Sequence, residues 1–139
     1  MKFLTEGHQH YSILFIVNGN KMFPSSGKLK KMSTEEIPFI MVNSLGLIVY
    51  VNKKFMTSFG WKEDNVIGQT LDLVLPESFR MSHHLAFSNF SSSAPSEVIG
   101  HPLILKTRCA DGSEIDSEHY IIAEQESTRW FFGAQLKPL

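Results

Sequence analysis

Three imidazoles and one hydroxyl hold the chemistry this sequence could perform: His83, His101, His119 and Ser117. A neutral imidazole ligates haem iron or another transition metal through one ring nitrogen, and it hydrogen-bonds a polar ligand equally well. His83 falls in PESFRMSHHLAFSNF, where Phe79, His83, Ala86, Phe87 and Phe90 recur at i, i+4, i+7, i+8 and i+11. That spacing is one face of an amphipathic helix, and its other four members are apolar. His101 shares the period of two with Leu103 and Leu105, the inner side of a strand. Two imidazoles from different elements are thus expected to face one interior. The plainer alternative for each is a core histidine held by one hydrogen bond, its pKa lowered by burial. Either way each needs a partner, since an unpaired buried polar group costs about 1–3 kcal/mol. His84 lies about 100° around the helix from His83 and is expected in solvent.

The same residues do not assemble a catalytic set. Ser117 and His119 share a strand face, about 7 Å apart at two residues' spacing, but Asp116 and Glu118 point to the other side. The sequence has no G-x-S-x-G, no Gly-rich phosphate loop and no H-E-x-x-H. No enzymatic activity is expected.

The bulk properties narrow the class further. A chain of 139 residues makes one domain with a real core. Its formal net charge of −1 argues against a general nucleic-acid or anionic-membrane binder. Cys109 is the sole cysteine, which excludes an intrachain disulfide and a CxxC pair. No apolar run approaches the roughly 18 residues of a membrane span. Ser12 to Val17 is a short apolar stretch with no small-residue cleavage site after it, so no signal peptide is expected and a cytoplasmic protein is the default.

The elements that must position these residues follow from the pattern. Residues 1–33 read as an N-terminal extension. Ile13–Val17 and Lys21–Phe23 flank Asn18-Gly19 as a hairpin would, and FPSSGKLKK has linker composition. Met32 opens a stretch resembling a fresh start of translation, so residues 1–31 are expected to be dispensable, or a misplaced gene start. The domain proper, 34–139, begins near a capping-box spacing of Ser33 and Glu36. Strands are expected at Pro38–Val42 and Leu47–Val51, then a helix KKFMTSF capped by Asn52 and stopped by Gly60. A helical KEDNVI and one more turn at 70–75 precede the long helix after Pro76, a residue suited to a helix start. Strands at Val98–Arg108 and Ser113–Ala123, joined at Asp111-Gly112, and a last one at Trp130–Leu136 complete an α+β order. The space between sheet and helices is the natural pocket.

With those residues in place, about residues 34–136 resemble a PAS domain. The resemblance rests on G-L-I-V-Y-V-N (46–52), F-x-x-x-F-G-W (55–61), V-I-G-Q-T-L (66–71), L-P-E-S-F-R (75–80), Asp111-Gly112-Ser113 and F-F-G (131–133). It implies a sensory and interaction module. The implied fold is a five-stranded antiparallel sheet with short helices and one longer helix packed on one face. Such domains bind haem, flavins or small metabolites, or nothing, and commonly form homodimers.

PESFRMSHH is similar to the helix that carries the proximal haem histidine in oxygen-sensing haem-PAS proteins. The resemblance places His83 at that ligand position and His101 where one such sensor has its sixth ligand. Leu103 stands where those sensors have an oxygen-binding arginine, which implies a redox or CO/NO response instead. His119 occupies a place that is aliphatic in their distal pocket. The implied site is therefore His83 and His101 on the metal, with Phe79, Phe87, Leu103, Ser117, His119 and Ile121 lining the pocket. A LOV-type photoactive flavin needs a cysteine on the short helix before Pro76, which this chain lacks. Non-covalent flavin, another metal ion, a colourless metabolite and a ligand-free adaptor remain as alternatives. The chain runs out at Leu136-Lys137-Pro138-Leu139 without the D-[IL]-T linker of PAS domains that drive an attached output. A signal is expected to leave through a partner in trans.

Overall fold

The structure is a computed structural model describing residues 15–18, 21–24, 27–80, 100–126 and 128–139. β1 (Phe15–Asn18) and β2 (Lys21–Pro24) pair antiparallel with Asn18 opposite Lys21. The expected hairpin is present, its strands joined by residues 19–20. The next segment differs from expectation: GKLKKMS forms a helix, α1 (Gly27–Ser33), not a linker. Linker composition misleads here because Leu29 and Met32, three residues apart on one helix face, are both buried. Ser33 is the last residue of α1, its Oγ donating to Lys30 O, so it opens no capping box.

β3 (Phe39–Val42) and β4 (Ile48–Val51) form the next hairpin. Its turn is organised by Asn43, whose Oδ1 accepts from the N–H groups of Leu45 and Leu47. α2 (Lys53–Phe59) follows, with the expected Asn52 and Gly60 caps. Asn52 does more than cap. Its Oδ1 accepts from Phe55 N and Phe39 N, both at 2.9 Å, while Nδ2 donates to Ile37 O and Ser33 O. One buried amide thus ties α2, β3 and the end of α1 together. α3 (Glu63–Val66) and a 3-10 turn (Leu71–Val74) lead to buried Pro76 and a helical start over 77–80. The rest of the expected long helix lies outside the described residues.

β5 (Leu103–Arg108), β6 (Glu114–Glu126) and β7 (Arg129–Pro138) complete an antiparallel sheet in the order β4-β3-β7-β6-β5. The β5–β6 turn is the expected Asp-Gly one. Asp111 Oδ1 accepts from the Ser113 N–H and hydroxyl, and Gly112 takes φ +90°, a region that glycine tolerates best.

Alternation along the strands sorts side chains onto two faces. On the inner face Ile40, Val42, Ile48, Val51 and Leu136 pack with Phe55, Phe59, Val66 and Val74 from the helices. On the outer face Phe39, Met41, Ile122 and Phe131 lie beneath Leu29 and Met32 of α1. Phe23 of β2 sits edge-on to Tyr50 of β4, ring centroids 5.3 Å apart. β2 and α1 are therefore packed onto the domain rather than strung beside it.

Candidate functional site

β5 and β6 build the polar part of the inner face. Their register sets Leu103 opposite His119, Leu105 opposite Ser117 and Thr107 opposite Ile115. With a period of two, all of these and Ile121 share one side of the sheet. Thr107, Ser117 and His119 are buried, and they bond to one another. Ser117 Oγ lies 2.8 Å from His119 Nε2 and 2.8 Å from Thr107 Oγ1, while Thr107 Oγ1 lies 3.2 Å from the same imidazole nitrogen. Ser117 Oγ also reaches Leu105 O at 3.3 Å. Leu103, Leu105, Ile115 and Ile121 are half-buried around this cluster.

Burial decides the charge of the site. Removed from water, the His119 imidazole has its pKa lowered from 6.5 to about 4, so it is neutral near pH 7. A neutral ring offers one N–H and one lone pair, and the hydroxyls of Ser117 and Thr107 each donate or accept. The cluster can therefore match either polarity of a small ligand group, and it favours uncharged ones.

The expected site residues part company here. Ser117, His119, Leu103 and Ile121 share the inner face as anticipated. Phe79 is half-buried just after Pro76, in the short described start of the helix. His83 and Phe87 lie outside the described residues. His101 corrects the expectation. It occupies an exposed bend, because β5 begins only at Leu103. Two features stop the strand short of it. Pro102 has no N–H to give a ladder, and Gly100 turns the chain at φ +83° while its N–H donates to Ile121 O at 2.8 Å. The alternation read back from Leu103 does not pass through them. Thr107 joins the site without being among the expected residues, although the same alternation from Leu103 and Leu105 points to it.

For haem, the described residues fit in part. Leu103, Leu105 and Ile121 provide an apolar wall, whereas exposed His101 is not aimed at an iron between sheet and helices. For another metal ion, no group of three or more His, Cys, Asp or Glu side chains converges among the described residues. A separate open groove of about 360 Å³ lies between the end of α2 and the β5–β6 turn, lined in part by Gly60, Cys109, Asp111 and Ser113. It does not include the hydroxyl–imidazole cluster. Cys109 is buried and packs with the inner-face core.

Comparison with known proteins agrees with the topology. Residues 32–98 match the family model described as PAS fold. The chain is 27% identical over 88 residues to the sensor protein FixL of Bradyrhizobium diazoefficiens, an alignment covering 63% of this chain and 17% of that one. Among solved structures, a PAS domain from Desulfitobacterium hafniense superposes with a TM-score of 0.63 at 14% identity, covering 78% of this chain and 97% of that one. The PAS domain of an HTR-like protein from Haloarcula marismortui gives 0.59 at 15% identity, with 80% and 88% covered. Among the described residues no helix is long and apolar enough to cross a membrane.

Proposed function

Its fold being that of a PAS domain, we propose that the chain is a sensory module taking a small guest against the inner face of its sheet. In this reading the signal leaves by contact with a partner protein or a second copy of the chain, in the cytoplasm. One observation carries the proposal: Thr107, Ser117 and His119 put two hydroxyls and a neutral imidazole on a face that otherwise builds an apolar core. Three neighbouring polar side chains are an expensive way to fill a core, since each requires a partner. A surface that must recognise a polar group has a use for them.

Haem is the favoured guest. Residues 77–80 start a helix after buried Pro76, and the chain is 27% identical over 88 residues to the sensor protein FixL. His83 would hold the iron. Leu103, Ile121 and His119 would wall the ring on the sheet side, and haem would supply redox or diatomic-gas chemistry there. A ligand-free adaptor, with the polar cluster as self-satisfied core, is the second reading, favoured by the mutual hydrogen bonds of Thr107, Ser117 and His119.

The full chain, purified and examined by visible absorption and native mass spectrometry, separates these readings. A Soret band that shifts on reduction and is lost in His83→Ala supports haem. A flavin spectrum identifies that cofactor instead, and a bound mass without colour a metabolite. No adduct and no absorbance, even after haem is added back, overturns the guest and leaves the adaptor.

A further inference from the structure

Beside β2, the outer face of the sheet is covered by a piece of chain too short to persist alone. α1 has seven residues, fewer than the roughly 12–15 at which isolated helices become even marginally stable. Its first turn holds no acidic residue of its own. The cap comes from β6 instead. The Glu124 carboxylate accepts from Lys28 N at 3.0 Å and from Leu29 N at 3.2 Å. A Cβ on Gly27, where φ is +82°, would stand 2.8 Å from Glu124 Oε2, so glycine there lets the carboxylate reach the backbone. At the other end Gln135 Nε2 donates to Met32 O at 3.4 Å and to the Glu35 carboxylate. Between these ties Leu29 and Met32 lie on Phe39, Met41, Ile122 and Phe131.

We propose that α1 is a strap that opens separately from the rest of the domain, with Glu124 as its latch. Opening it bares the apolar outer face at Phe39, Met41, Ile122 and Phe131 while leaving the inner face intact. The grounds are an asymmetry of attachment. The five strands hold one another through backbone ladders, whereas α1 is held by the buried Leu29, Met32 and Ser33, by packing against β2 and by side-chain ties at its ends. Segments with few buried contacts are the ones that open sub-globally. Availability of the outer face then follows how often the strap is open, and it does not depend on what occupies the inner face.

Amide hydrogen exchange of the full chain tests this, with Glu124→Gln and Glu124→Ala beside the unaltered protein. In the unaltered protein the amides of 29–33 should exchange at least about tenfold faster than those of β3 and β7, with little dependence on low urea, as local opening does. Both variants should speed α1 exchange by about a further tenfold, the loss of a charge-assisted hydrogen bond, and leave β3 and β7 unmoved. Exchange of α1 only together with β3 and β7 in the unaltered protein overturns the strap. Variants that leave α1 exchange unchanged, or speed every amide alike, overturn the latch. Should a variant fail to fold, the urea dependence of the unaltered protein still decides the matter.

Discussion

Ser117 and His119, two residues apart on β6, are joined inside the protein through Oγ and Nε2 at 2.8 Å. A strand's alternation brings both to the same face, and Thr107 on β5 closes the group from the neighbouring strand. The imidazole is thereby fixed in a dry place by hydroxyl partners. Its protonation becomes a measurable property of the fold.

Stability should therefore fall in mild acid. The folded pKa of His119, about 4, lies below the ordinary 6.5. Its contribution is complete above pH 6.5 and is lost as the pH falls from there toward 4, because the unfolded chain takes up the proton first. Linkage gives about 3 kcal/mol over that window. Urea unfolding at pH 7 and pH 4.5 should show this loss, and His119→Leu should remove that part of it. An unchanged pH slope in the variant would mean the imidazole is not held neutral by burial.

The three polar side chains should not contribute equally. Thr107→Val keeps the shape and leaves Ser117 bonded to His119, costing about 1 kcal/mol. Ser117→Ala removes the partner common to Thr107 Oγ1, His119 Nε2 and Leu105 O, costing about 2 kcal/mol. Denaturant midpoints of the two variants check the order, and the reverse order would place Thr107 at the centre instead.

Asn52→Ala should be more damaging than an ordinary cap deletion. Besides the cap, worth about 1 kcal/mol, it orphans Phe39 N and Ile37 O, which Asn52 serves at 2.9 Å each. The expected loss is about 3 kcal/mol, read from urea unfolding. A loss near 1 kcal/mol would show that water replaces the amide.

Gly133→Ala should disturb α1 before the sheet. A Cβ there would overlap the Leu29 side chain and stand 2.8 Å from Phe39 Cζ. Overpacking of this kind costs about 1–3 kcal/mol. In a Leu29→Ala background the penalty should shrink, because the clash has lost its main partner. Additive losses would locate the strain elsewhere.

Much of this architecture is legible in the sequence, for physical reasons that also mark where legibility stops. Asn52 and Gly60 bracket α2 because capping is local chemistry, and Asp111-Gly112 marks its hairpin for the same reason. α1 is hidden because nothing local caps it: its carboxylate comes from Glu124, far along the chain. Alternation does not locate His101, because Pro102 ends the ladder before it. Ser117 and His119 were found together since two residues' spacing on a strand needs no tertiary knowledge. Thr107, their partner, belongs to another strand and appears only once register is known. His83 and Phe87 keep the standing the sequence gives them, as they fall outside the described residues.

The position of β7 has a consequence for how the molecule is made. β7, made after the four other strands of the sheet, lies between β3 and β6, in the middle of the sheet rather than at its margin. Until it leaves the ribosome, the β3–β4 and β5–β6 hairpins are two halves with no ladder between them, their greasy sides open to whatever chaperone is near. Trimming the tail back to residue 128 would split the sheet in two. Removing the β1–β2 hairpin would leave every rung of the five-stranded ladder in place.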